Sequence, residues 1–339
     1  MSRPAVAALG AGRMGRGIAL AFAGAGERVA LIDVKERGPG AFETLRAESL
    51  RDIEGQIRAL VDLRVVPDAA VSAILNRIEV CGRDAASETL AQVDLLFEGV
   101  PEVMAAKAET FAFAARALPV NAIVASTSST FLSTALAELV PGPQRFLNAH
   151  WLNPAHLIPL VEISPHVGTD PSVSQRLCKR LEAIGKIPVL CGASPGYIVP
   201  RMQALIMNEA ARMIEEGVAS AEDIDRATRY GFGIRYAAMG VVEFIDVGGN
   251  DILYYASRYL SEALGSERYA CPEIVADHMA QGRNGLRSGK GFYDWTGKDI
   301  DAFRKQSTAR LLELLRIAGR MPVMADAVDR NESPPSRRD

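Results

Sequence analysis

Up to about residue 190, short uninterrupted apolar runs alternate with stretches in which apolar residues recur every three to four positions. The runs at 5–9, 29–33, 78–81, 94–100, 122–126, 146–151, 160–163 and 187–190 have the length of strands. Most lack the polar alternation of a half-exposed sheet, so they predict strands buried on both faces. The helical stretches between most of them supply the crossovers that parallel strands need. The pattern predicts an α/β fold of Rossmann type, a doubly wound and mainly parallel sheet covered by helices. Residues 40–78 break this rhythm. Glu43, Arg46, Glu48, Arg51, Glu54 and Arg58 interleave there with Leu45, Leu50, Ile53, Ile57 and Leu60, which predicts an inserted helical arm charged on one side.

The pattern changes at Ser194-Pro195-Gly196-Tyr197, a punctuation after which nearly every segment has helical period, including 201–213, 221–230, 251–264 and 302–319. The expected organisation is a Rossmann domain over 1–193, an all-helical C-terminal domain for substrate and subunit contacts over 194–325, and a tail over 326–339 with the composition of a disordered end. The chain's 339 residues suffice for two domains of about 150 residues.

Composition narrows the class. Hydrophobic residues make up 48% and charged residues 23%, the proportions of a soluble globular protein. A formal charge of -3 gives no electrostatic reason to expect nucleic acid or an anionic membrane as partner. No run of about 18 uncharged apolar residues predicts a membrane span. The apolar stretch 5–26 is interrupted by Arg13, Arg16 and several glycines, so it reads as structure and not as a leader. Cys81, Cys178, Cys191 and Cys271 form no C-x-x-C pair, which suggests neither a zinc knuckle nor a disulfide framework and fits a reducing cytoplasm.

Candidate chemistry begins at Gly10-Ala11-Gly12-Arg13-Met14-Gly15, between the first strand and the first helix. In that context Gly10 makes a tight turn, Gly12 lets a pyrophosphate approach the backbone, and Gly15 lets helix and strand pack closely. Asp33, at the end of the second strand, is placed to accept hydrogen bonds from ribose hydroxyls, which favours NAD because a 2′-phosphate would meet a like charge. Lys35 and Arg37 soften that preference.

Five further segments carry a resemblance: residues 94–102 with Lys107; Ser126-Thr127-Ser128-Ser129; His150-Trp151-Leu152-Asn153-Pro154 followed by Leu160-Val161-Glu162; residues 194–199; and Ser288-Gly289-Lys290-Gly291-Phe292-Tyr293-Asp294. In order and spacing the chain resembles the L-3-hydroxyacyl-CoA dehydrogenase family as far as about Trp295. The resemblance implies NAD-dependent oxidation of a 3-hydroxyacyl group, with His150 and Glu162 as the catalytic dyad and Ser128 as a substrate-facing serine. Glu102, Lys107 and Asn153 match positions lining the cofactor, and Arg287 a basic residue near the same site. It also implies a homodimer paired through the helical domain. The dyad has a chemical rationale: a base must take the hydroxyl proton, and a carboxylate on the other ring nitrogen fixes the tautomer and stabilises the imidazolium. His156, His166 and His278 have no metal-ligand spacing with His150, so no metal is expected.

The chain departs from the family where an active-site Asn falls on Pro200, which has no amide side chain, and where an Asn opening the serine motif is Ser126. Gln203, one turn on, is a candidate replacement for the first. Two segments, 158–166 and 231–237, look like the branch that includes lambda-crystallin, gulonate 3-dehydrogenase and carnitine dehydrogenase. There Arg235 would pair with the carboxylate of a free 3-hydroxy acid; the alternative is a structural or inter-subunit ion pair. For an acyl-CoA, the basic surface would be Arg46, Arg51, Arg58 and Arg64 on the arm. The expectations are therefore a 3-hydroxyacyl-CoA dehydrogenase first, a free 3-hydroxy acid dehydrogenase second, and a non-catalytic crystallin-like protein third.

Overall fold

The computed structural model describes residues 4–323; the tail expected over 326–339 lies outside them. Eight strands, β1 (Val6–Leu9), β2 (Val29–Ile32), β3 (Ile78–Cys81), β4 (Leu95–Glu98), β5 (Ile123–Ser126), β6 (Phe146–Trp151), β7 (Leu160–Pro165) and β8 (Ile187–Leu190), form one sheet in the order β3-β2-β1-β4-β5-β6-β7-β8. Every neighbouring pair is parallel except β6 and β7. The order reverses at β1, whose neighbours are β2 and β4, so the chain leaves these strands in opposite directions and opens a crevice at their carboxyl ends.

The first unit's helices are α1 (Arg13–Gly24), α2 (Pro39–Asp62), α3 (Val71–Leu75), α4 (Ala86–Leu90), α5 (Met104–Ala115), α6 (Ser133–Ala137), α7 (Pro171–Ala183) and the start of α8 (Val199–Glu215). Strands β1, β2, β4 and β5 are buried along their whole length, which explains their lack of alternation. Between α1 and the sheet, Phe22, Phe97 and Trp151 form a ring cluster with centroids 5.5–6.3 Å apart. The arm is not one continuous helix. It buries Ser49, Ile53 and Ile57 along one α2 face, then ends at Asp62; Arg64 turns left-handed at φ 59° and Pro67 starts a new segment leading to α3.

The chain divides into two compact units between Met207 and Asn208, within α8. The second unit holds α9 (Ala221–Ala227), α10 (Ile234–Ala238), α11 (Val241–Gly248), α12 (Asn250–Ala263), α13 (Glu273–Ala280) and α14 (Ile300–Ile317), with a π-helical turn at Thr228–Gly233. The buried carboxylate of Asp246 organises its closing motif. It accepts from the amides of Phe292 and Tyr293 at 2.9 Å and from Trp295 Nε1 at 2.8 Å. A Cβ on Gly291 would stand 2.1 Å from Asp246 Oδ1, which explains the glycine. Among the described residues no helix is long and apolar enough to cross a membrane.

Candidate active site

Strand register brings the site together. Leu9 pairs with Glu98, Glu98 with Ser126, and Ser126 with Asn148, so the loops after β1, β4 and β5 leave the sheet at one level. They border a cleft of about 950 Å³ that Gly10, Gly12, Asp33, Glu102, Ser128 and His150 help to line. Gly10 adopts φ +100°, and a Cβ there would lie 2.9 Å from the Gly99 carbonyl; a Cβ on Gly15 would lie 2.0 Å from the Gly10 carbonyl. Nothing lies within 4 Å of the Cβ direction of Gly12. The N-terminus of α1 receives no side-chain cap and has no acidic residue in its first turn. Free amides, open space and the positive dipole end are what a pyrophosphate requires, so these residues fit a dinucleotide.

Asp33 follows β2 and is buried. Its carboxylate accepts from Arg37 Nε and, at 3.4 Å, from the Lys35 amide. The softening expected from Arg37 is thus a direct ion pair.

The antiparallel pairing of β6 and β7 sets His150 opposite Glu162. His150 Nδ1 lies 2.8 Å from Glu162 Oε2. With the carboxylate as acceptor, Nδ1 carries the hydrogen, which in the neutral imidazole leaves the lone pair on Nε2. Glu162 is wholly buried, and its Oε1 accepts from the amides of Ile198 and Val199 at 2.8 Å each.

A second polar cluster joins β4, α5 and β5. Lys107 Nζ lies 3.0 Å from both Glu98 oxygens and 3.2 Å from Glu102 Oε2; Glu98 is 0% and Lys107 1% exposed. Glu98 also accepts from Ser126 Oγ at 2.6 Å and the Val100 amide at 2.8 Å. Ser128 Oγ donates to Glu102 at 2.8 Å and accepts from the Phe131 amide at 2.9 Å. The serine proton is therefore committed to Glu102, and one lone pair remains to accept from a ligand. Burial pushes the Glu102 carboxyl up, but Lys107 and the Ser128 and Ser129 bonds outweigh it and hold the group below its usual range. Glu98 was not singled out in the sequence, where its one signal is a carboxylate ending an otherwise apolar strand; Ser126, which stands where the family has Asn, donates to it.

The other expected residues have surroundings of their own. Asn153 is exposed in the loop between β6 and β7. Arg287 lies in the second unit, where Asp251 Oδ1 at 2.5 Å and the Gly248 carbonyl at 2.8 Å engage it. Arg235, on α10, is exposed; its Nε donates to the Gly231 carbonyl at 2.9 Å and its guanidinium lies 4.9 Å from the Phe244 ring centroid. No carboxylate among the described residues pairs with it. Pro200 occupies the second position of α8, where its missing N–H costs no helical bond, and Gln203 is exposed on the same helix. On the arm, Arg46 pairs with Glu43 and Arg58 with Glu54 and Asp68, so the expected basic surface is partly neutralised. No group of His, Cys, Asp and Glu that could hold a metal ion occurs among the described residues.

Residues 5–194 match the family model of the 3-hydroxyacyl-CoA dehydrogenase NAD binding domain, and 196–295 that of its C-terminal domain. The chain is 28% identical to the 5-formyl-3-hydroxy-2-methylpyridine 4-carboxylate 5-dehydrogenase of Mesorhizobium japonicum, over 92% of this chain and 97% of the relative. It is 30% identical to a probable 3-hydroxybutyryl-CoA dehydrogenase of Bacillus subtilis, over 85% and 96%. The crystal structure of the 3-hydroxyacyl-CoA dehydrogenase from Archaeoglobus fulgidus superposes with a TM-score of 0.72 at 33% identity, covering 93% of this chain and 99% of that one.

Proposed function

Since the chain belongs to the 3-hydroxyacyl-CoA dehydrogenase family, and is thus an NAD-dependent oxidoreductase acting on a CH–OH group, we propose that His150 is its general base, Glu162 the carboxylate that orients it, and a 3-hydroxyacyl-CoA its substrate. The observation that carries the first two roles is the 2.8 Å contact between His150 Nδ1 and the buried Glu162 carboxylate, beside the glycine loop. NAD, when bound, supplies the hydride acceptor. Gly10, Gly12, Gly15 and Asp33 hold it, with Glu102 and Lys107 at the nearby wall. His150 Nε2 takes the hydroxyl proton, and Glu162 stabilises the imidazolium that results. Ser128 orients the substrate oxygen by turning its own proton from Glu102 toward it, since the hydroxyl's single hydrogen goes to His150.

Asp33 supports a preference for NAD over NADP. Asp33→Ala is expected to weaken NAD binding about ten- to a hundredfold, the worth of hydrogen bonds to a charged group, and to narrow the preference because Arg37 becomes free to meet a 2′-phosphate. Titration of both cofactors against both proteins checks this; tighter NADP binding by the unaltered enzyme would reverse the assignment.

For the substrate, NADH oxidation assayed with acetoacetyl-CoA and, in parallel, with free 3-oxo acids is the deciding experiment, and turnover of the thioester is expected. The Bacillus relative is named for a CoA ester, the Mesorhizobium relative for a pyridine carboxylate. One observation favours a free acid as the second reading: Arg235 has no carboxylate partner among the described residues. On that reading Arg235→Met raises KM about ten- to a hundredfold for a free acid and spares an uncharged analogue. Activity on free acids with none on any CoA ester would establish the second reading over the first.

A two-fold homodimer is part of the same reading. No residue of α8 is buried, and Met202, Leu205, Ile206 and Met207 are exposed along it, an apolar face that a second copy would cover. Light scattering at micromolar concentration should return twice the chain mass of 36.4 kDa.

A further inference from the structure

We propose that Tyr197 is a positioning residue for proton transfer: its ring is the platform that holds the His150 imidazole and stabilises it once protonated, and its hydroxyl keeps the Ser128 loop in place. This rests on the reading of His150 as the base.

Tyr197 is 5% exposed, and its ring lies nearly parallel to the imidazole, with centroids 5.1 Å apart and planes at 17°. Its hydroxyl donates to the Ser128 carbonyl at 2.8 Å and accepts from Asn148 Nδ2 at 2.8 Å. Burial pushes this phenol up to about 12, so it stays a neutral donor across the pH range of any assay. The backbone is the unusual feature. Gly196 at φ +76° is followed by Tyr197 at φ +47°, a left-handed conformation in which a bulky residue is an outlier. Such an outlier persists only where its surroundings over-determine it. Here they do so through the active pair itself: the ring lies on His150 while the next two amides, of Ile198 and Val199, bond to Glu162. One turn thus grips both members of the pair. An aromatic face beside an imidazole attracts the cation more than the neutral ring, so Tyr197 favours the imidazolium formed as the alcohol loses its proton. The ionisable groups around this turn are Glu162 on β7, Glu102 after β4 and Cys191 after β8. Glu102 is occupied by Lys107 and Ser128, and burial holds the Cys191 thiol above its usual value, leaving Glu162 as the direct charged partner of His150.

The test is the pH profile of kcat/KM for alcohol oxidation, whose acidic limb reports the base. Tyr197→Leu removes the π face, Tyr197→Phe keeps it and removes the hydroxyl, and replacement of Tyr197 by pentafluorophenylalanine removes the hydroxyl likewise but inverts the ring's charge distribution, so that its control is the Phe variant. The leucine and pentafluoro variants are expected to lower kcat about three- to tenfold and to move the acidic limb down by about half a pH unit to one unit. Tyr197→Phe should restore the limb and kcat while raising KM a few-fold, because the Ser128 carbonyl loses its donor. Should the leucine variant not fold, the pentafluoro and Phe variants decide the matter alone. Variants that lose thermal stability but keep the wild-type limb would make the role purely structural and overturn the proposal. His150→Gln separates the two levels. If it is inactive while the limb stays fixed in the Tyr197 variants, only this inference fails; if it turns over normally, both fail.

Discussion

His150→Gln is expected to lower alcohol oxidation by about 10²- to 10⁴-fold while NADH still binds. Glutamine fills much of the imidazole's place but cannot accept a proton near neutral pH, and the glycine loop, Asp33 and Lys107 do not touch the replaced ring. Glu162→Gln should fall nearly as far, for a different reason. Glu162 Oε1 holds the amides of Ile198 and Val199, and a glutamine would keep its only carbonyl oxygen there. Its NH₂ would then face His150 Nδ1, which would have to become the acceptor. The hydrogen moves to Nε2, and the nitrogen meant to take the substrate proton is already protonated. A variant with the shape of the wild type would thus be inactive because of its tautomer. Steady-state oxidation rates alongside NADH titration check both variants, and near-normal turnover by folded His150→Gln would remove the base from the mechanism.

Lys107→Met should destabilise the fold by about 3–5 kcal/mol, because it leaves Glu98 as an uncompensated charge in the interior. Glu98 is wholly buried and would keep only the Ser126 hydroxyl and the Val100 amide. Total stability for domains of this kind is about 5–15 kcal/mol, so the loss is a large part of it. The double variant Glu98→Gln with Lys107→Met should recover much of that stability, since the charge disappears together with its partner. It should not recover activity, because Glu102, which anchors Ser128, has lost its cation as well. Urea midpoints with unchanged slopes would measure the first effect. A single variant as stable as the wild type would show that the three-residue cluster contributes no net stability.

Strands β1, β2, β4 and β5 were legible because burial on both faces leaves an apolar run, and the crossovers because helical period separates the runs; β8 has an apolar run too, yet Ile187 and Leu190 are exposed, so its run did not mark burial. The glycine loop was legible for a similarly local reason: the turn at Gly10 and the close packing at Gly15 leave no room for a Cβ, and Gly12 between them faces open space. The arm shows where local period stops being enough. Its charges and apolar residues continue past Asp62, yet the chain turns at Arg64 and Pro67, and the stripe that meets the core, Ser49, Ile53 and Ile57, occupies the middle of α2.

Everything that depends on which strand lies beside which was left to the tertiary structure. His150 and Glu162 stand 12 residues apart in a chain where that spacing guarantees nothing; the antiparallel register of β6 and β7 makes them face one another. Lys107, which the resemblance assigns to the lining of the cofactor, is set by α5 over the buried Glu98, a partner the sequence does not name. The Ser128 proton, free in any motif reading, is bound by Glu102. Tyr197 carries no signal beyond its place after Pro195-Gly196, and its contact with His150 arises from a left-handed turn fitted around residues far away in sequence. The physical reason is the same throughout. Periodicity encodes which face of an element is buried, a property each segment possesses alone, whereas the pairing of charges and hydrogen bonds across the site is decided by the relative placement of segments, which no single segment contains.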